Sequence, residues 1–239
     1  MGRVNAPPAA ERPGRPGRTG WRDAAVTAAV GGAVVAALFR YNLGGASAAT
    51  GQFGRTWEEY LLVNVAALLG PALLTVLVVL RERAGSWGLR PAAPGAARIA
   101  WTLYGLMLPV LIIAASQPEF HHLYPLQPQA ADSWRHFVYH ETTYAFYMLC
   151  WEFFFRGFLL SGLRRGIGFT AANVAQAAAF CVLHLGKPAP EVAGSFVAGL
   201  ALGWLAARAR SFLPGFAVHA GVSTTFDVLA IHARGGGIL

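Results

Sequence analysis

Seven apolar runs separated by arginine-bearing gaps constrain this chain more than any other feature. They are Ala24–Phe39, Leu61–Leu80, Ile99–Ala115, Tyr144–Leu163, Thr170–Leu185, Val192–Ala207 and Leu213–Ile231. A helix needs roughly 20 apolar residues to cross about 30 Å of hydrocarbon, so several runs suffice and the shorter ones are marginal. In lipid every backbone amide must find its partner inside the protein, which favours helices over open sheet. The expected fold is therefore all-α: a polytopic membrane helical bundle of about seven transmembrane helices.

Composition agrees. Of 239 residues, 55% are hydrophobic and only 13% charged, and the mean hydropathy is +0.45. A soluble domain carries roughly a quarter charged residues, so a lipid-facing surface is the simplest account of the missing charge. The net charge of +8 arises from 18 Arg and one Lys against 11 acids. Those arginines sit between apolar runs, where they set membrane orientation, and nucleic acid is not an expected partner. With the amino terminus in the cytoplasm, the cytoplasmic segments hold 13 basic residues and the opposite segments five. Adding or deleting one span would spoil that alternation.

Residues 1–20 are rich in Pro, Gly, Ala and Arg and read as a disordered basic cytoplasmic tail. Residues 21–239 then form a single transmembrane domain. Ala46-Ser47-Ala48 resembles a signal-peptide cleavage site, but the long amino-terminal region and Arg40 after the first run argue against cleavage. The Ser116–His136 connection, with three Pro and three His, is expected to form an outer lip. Cys150 and Cys181 both lie in apolar runs and build no disulfide framework.

Three runs carry polar residues that lipid alone would not favour. Glu152 and Arg156 are four apart in the fourth run and share a helix face. Each costs about 2.5–3.5 kcal/mol at a helix centre on insertion scales. Asn173, Ala177, Phe180 and His184 share a face in the fifth run, as do His219, Ser223 and Asp227 in the seventh. Taken singly, these are an ion pair gluing helices, a packing histidine and an interhelical hydrogen-bonding stripe. Taken together, they suggest convergence on one polar cavity. A carboxylate there can act as general base on water, one imidazole can hold that water, and the other can donate to an oxyanion. That set suffices for amide hydrolysis without a covalent intermediate.

Other chemistries compete for the same residues. His136 and His140, with Glu141 between the runs and His121 or His122 nearby, could offer a zinc-ligand face. Cys181 lies three residues from His184, but an apolar helix would keep its thiol protonated. Gly199 and Gly203 read as close helix packing. No phosphate-cradling Gly loop is apparent, and no internal repeat of the transporter kind.

At these residues the sequence resembles the CPBP family, membrane proteins that include the CAAX prenyl proteases and bacterial relatives. The family pattern is E-E-x-x-x-R, then F-x-x-x-H, then H-x-x-x-N. Here Glu152 and Arg156 fit the second Glu and the Arg, Phe180 and His184 fit the second motif, and His219 fits the third. Trp87-Gly88-Leu89-Arg90 and His184-Leu185-Gly186-Lys187-Pro188 also look like family segments, so the CPBP-like core covers about 85–230. Two positions depart: Trp151 stands where the usual base Glu would be, and Ser223 replaces the Asn. Glu141 is a second candidate acid.

The resemblance implies a glutamic-type intramembrane endopeptidase in the cell membrane. Glu152 and His184 would act on water, His219 and Ser223 would serve the oxyanion, and Arg156 would orient the carboxylate. It implies no cofactor and no metal. The partners it implies are the lipid bilayer and a membrane-anchored protein or peptide substrate, with processing of carboxy-terminal sorting anchors one form of the activity. The alternative is a catalytically inactive relative serving as scaffold, immunity or binding protein.

Overall fold

The computed structural model describes residues 18–44, 56–121 and 123–235, and no strand occurs among them. Residues 1–17 of the expected tail and the Ala46-Ser47-Ala48 site lie outside the described residues. Arg18, Thr19 and Gly20 already belong to the first helix.

Among the described residues eight α-helices follow in order: α1 (Arg18–Gly44), α2 (Trp57–Leu74), α3 (Ala96–Ala115), the short α4 (Pro118–His121), α5 (Trp134–Glu152), α6 (Leu160–Val182), α7 (Ala189–Ala209) and α8 (Leu213–Ala233). A π-helical turn, Phe153–Leu159, joins α5 to α6 without a loop. Among the described residues, five helical stretches are long and apolar enough to cross a membrane, and Trp134–Val182 counts as one of them. That stretch breaks at Gly168, whose φ of 77° and ψ of 169° are open to glycine and costly for other residues. With the break and with α8, every one of the seven apolar runs has its helix.

Local chemistry sets several boundaries. Thr56 caps α2 by accepting from the Glu59 amide, and the Glu59 carboxylate accepts from the Thr56 amide in return. Ser133 caps α5 through the His136 amide, eleven residues before the apolar run begins at Tyr144. Beyond Gly168 the remainder of α6 rises only about 20 Å, short of the roughly 30 Å hydrocarbon core. His184 follows in the turn after α6. There it meets His219 around the Phe180 ring.

The two family-like segments have structural work. Trp87 is fully buried, and Gly88, at φ 93°, accepts the Phe212 amide at 3.3 Å. Arg90 donates to the Arg210 carbonyl at 2.6 Å, so this segment clamps the α7–α8 turn. Beneath it, Glu82 accepts from Arg165, which also bonds Asp23 of α1 at 3.0 Å. Lys187 donates to Tyr124 and to Glu191, each at 2.7 Å, tying the α6–α7 turn to the connection between α3 and α5. Burial, followed by the adjacent Glu191 carboxylate, pushes the Tyr124 phenol well above its ordinary value.

Gly199 and Gly203 let α7 approach α6 closely. A Cβ at Gly199 would stand 2.9 Å from the Ala177 Cβ, and one at Gly203 would overlap Asn173. Asn173 and Gln176 of α6 use that proximity to donate to the Leu200 and Gly199 carbonyls. Polar bonds of this kind join helices in lipid, where apolar contact alone gives little preference.

Candidate functional site

The helical period places the site. Phe137, His140, Tyr144, Tyr147 and Trp151 are buried positions of α5 spaced three and four apart, and Met148, Cys150 and Glu152 are buried beside them. The π-helical turn then carries Phe153 to Leu159, all buried. A π turn re-aims the side chains that follow it, and such turns recur at functional positions. Helix α8 runs antiparallel to α5 and supplies the opposite wall.

Glu152 is fully buried and Arg156 is 2% exposed. Arg156 Nη1 donates to Glu152 Oε1 at 3.0 Å, and His219 Nδ1 lies 2.9 Å from the same oxygen. A carboxylate held by a guanidinium only accepts, so Nδ1 is the protonated nitrogen of His219 and Nε2 is its working atom. The second carboxylate oxygen, Oε2, accepts no hydrogen bond from the described residues and faces Gly215. A Cβ there would stand 3.0 Å from Oε2. The His219 side chain is 16% exposed, so this imidazole links the buried carboxylate to the outside of the cluster.

His184 joins through aromatic contacts. Its Nδ1 donates to the Phe180 carbonyl at 2.9 Å, again leaving Nε2 as the ring's working nitrogen. The Phe180 ring sits between both imidazoles, with centroids 4.5 Å from His184 and 5.7 Å from His219. The Arg156 guanidinium lies 4.3 Å over the same ring. Trp151 occupies the side of His184 where a second carboxylate would complete the family pattern. Its indole packs edge-on to His184 at 5.6 Å and to Phe180 at 5.4 Å.

The structure thus brings together Glu152, Arg156 and His219 by direct bonds, and His184 through Phe180. Glu152 bonds His219 directly, while His184, expected to act with Glu152 on water, bonds the Phe180 carbonyl. Ser223 lies one turn beyond His219 on α8, partly buried, and among the described residues no hydrogen bond joins it to the cluster. The Cys181 thiol donates to the Val192 carbonyl at 3.3 Å and makes no bond to the His184 ring among the described residues.

The histidine face proposed for zinc separates. His136 is exposed and bonded to Ser133, His121 bonds the Ala115 carbonyl, and His122 lies outside the described residues. His140 and Glu141 instead turn toward α8. His140 Nε2 lies 3.0 Å from Asp227 Oδ2, with both residues fully buried, and Thr224 donates to Glu141 Oε2. Sequence reasoning placed Asp227 on the His219 face but missed its partner. The signal was present: the three-and-four spacing of Tyr144, Tyr147 and Trp151 continues backwards to His140 and Phe137.

Residues 134–225 match the family model described as type II CAAX prenyl endopeptidase Rce1-like. That stretch holds Glu152, Arg156, His184, His219 and Ser223. No curated protein and no solved structure matches the chain.

Proposed function

We propose that this chain is an intramembrane endopeptidase of glutamic type in the CPBP family, a reading supported by the match of residues 134–225 to the Rce1-like family model. The observation that carries the reading is the Glu152–His219 hydrogen bond within the buried seam of α5 and α8. A carboxylate bonded to Nδ1 of an imidazole fixes the tautomer and stabilises the imidazolium formed when Nε2 takes a proton. In this reading water takes the place that a nucleophilic hydroxyl holds in a covalent mechanism. His219 Nε2 removes its proton, and Glu152 holds the charge that develops on the ring. Arg156 donates to the carboxylate and fixes its position.

His184 serves the opposite side of the scissile bond. With Nδ1 committed to the Phe180 carbonyl, its Nε2 accepts a hydrogen bond from the leaving amine, which takes up the proton that His219 removed from water. Ser223, one turn from His219, is the candidate hydroxyl donor for the oxyanion. Trp151 supports this division of roles, because it puts an indole rather than a carboxylate beside His184. The substrate class is a membrane-anchored protein cleaved close to the bilayer, and a carboxy-terminal sorting anchor fits that class. The amino terminus is assigned to the cytoplasm from the arginine distribution.

One observation favours a second reading. Glu152 and Arg156 are a fully enclosed i, i+4 pair, as a non-catalytic helix brace would be. Terminal mapping of membrane proteins separates the two. In cells carrying the wild type, a set of anchored proteins is expected to lose carboxy-terminal segments that remain in cells carrying Glu152→Gln. Identical termini in the two cell types would leave the brace and remove the enzyme.

A further inference from the structure

The α5–α8 seam holds a second polar cluster that the peptidase chemistry does not use. His140, Glu141 and Asp227 each offer a ligand atom, and these atoms lie within 4.8 Å of one another. His140 and Asp227 are fully buried. Asp227 Oδ1 and Glu141 Oε1 are also enclosed, and neither accepts a hydrogen bond from the described residues. The only ion pair involving this cluster among the described residues is the internal one between His140 and Asp227. Two carboxyls enclosed side by side without a paired Lys or Arg must share a proton or hold a cation.

We propose that His140, Glu141 and Asp227 form a divalent-metal site that fastens α5 to α8. By helical rise it stands about 12 Å from His219 along α8. One imidazole nitrogen with two carboxylate oxygens is a donor set for zinc or a similar first-row ion, and it is too poor in oxygen for calcium. The 3.0 Å between His140 Nε2 and Asp227 Oδ2 is close to the roughly 3.4 Å edge of a tetrahedron with bonds of about 2.1 Å. The ion replaces the proton between these two atoms and releases it to solvent. Glu141 Oε1 turns in as the third ligand while Oε2 keeps its bond from Thr224. Trp57, with its ring centroid 4.6 Å from His140, and Tyr144, at 5.2 Å, hold the imidazole plane.

The test uses the full chain in detergent, stripped with chelator, dialysed against zinc chloride and then washed free of loose metal. A single equivalent of zinc per chain is expected, together with a rise in thermal midpoint. Cobalt chloride should give the visible absorption of a tetrahedral nitrogen–oxygen site. Asp227→Asn and Glu141→Gln should each weaken zinc binding by at least about tenfold. Glu141 is only partly buried, so its variant serves if Asp227→Asn does not fold. His136→Ala with His232→Ala, which alters exposed histidines, should retain the metal. No retained zinc in the folded wild type would overturn the proposal. So would zinc that survives Glu141→Gln and disappears with the surface histidines.

Discussion

Replacing Arg156 by Met is the most informative single perturbation of stability, because it leaves Glu152 enclosed without its cation. The two charged atoms are 3.0 Å apart and both side chains are fully buried. At an effective dielectric of about 20, Coulomb's law puts their attraction at about 5 kcal/mol. Deleting one member of a buried pair costs about 3–5 kcal/mol in practice. The Arg156–Phe180 contact at 4.3 Å adds about 1 kcal/mol to what is lost. Against this, His219 keeps one bond to the carboxylate. The expected loss for Arg156→Met is thus about 3–5 kcal/mol. Replacing both residues by Met removes the stranded charge, and that double variant is expected within about 1–2 kcal/mol of wild type. Reversible unfolding of the four proteins of this cycle, in one detergent, measures the coupling. An Arg156→Met variant within about 1 kcal/mol of wild type would show that the pair is solvated or remade, and the reasoning from burial would fail.

Two further outcomes test the scaffold. Gly203→Val should separate α7 from Asn173 and Gln176 and destabilise the chain by about 1–3 kcal/mol, measured by the same unfolding assay. The hydrogen bond from Arg165 is the main cause that holds the Glu82 carboxyl below its ordinary value. A lowered folded-state value contributes stability above the ordinary carboxylate range, and that contribution disappears as pH falls through the lowered value. Wild type should therefore lose stability on acidification more steeply than Arg165→Met, and parallel acid limbs in the two unfolding profiles would contradict the assignment.

Much of the architecture was legible because lipid makes apolar runs conspicuous. Polar residues enclosed against other helices hide from the same reading. Helix α5 starts at Trp134, and its first turns lie outside the apolar run at Tyr144 because His136, His140, Glu141, Thr142 and Thr143 depress their hydropathy. His140 is nevertheless buried, since Asp227 meets it. The break at Gly168 and the uninterrupted passage from α5 to α6 depend on one glycine conformation and one π turn, and neither has a clear periodic signature. The site residues could be chosen by their cost in lipid and by their helical phase. Which of them bond could not, because phase within a helix does not fix the register between two helices. The antiparallel register of α5 and α8 sets Glu152 beside His219. The ring of Trp151 fills the place beside His184.

The central claim is that the Glu152–His219 pair activates water. Its most direct measurement is the cleavage rate of a substrate found by terminal mapping, with purified wild type, Glu152→Gln and Glu152→Gln/His219→Ala, each shown to be folded. Glu152→Gln is expected to lower the rate by about 10²–10⁴-fold. Adding His219→Ala should lower it little further, because the two residues act as one unit. Cleavage by Glu152→Gln at the wild-type rate would contradict the account.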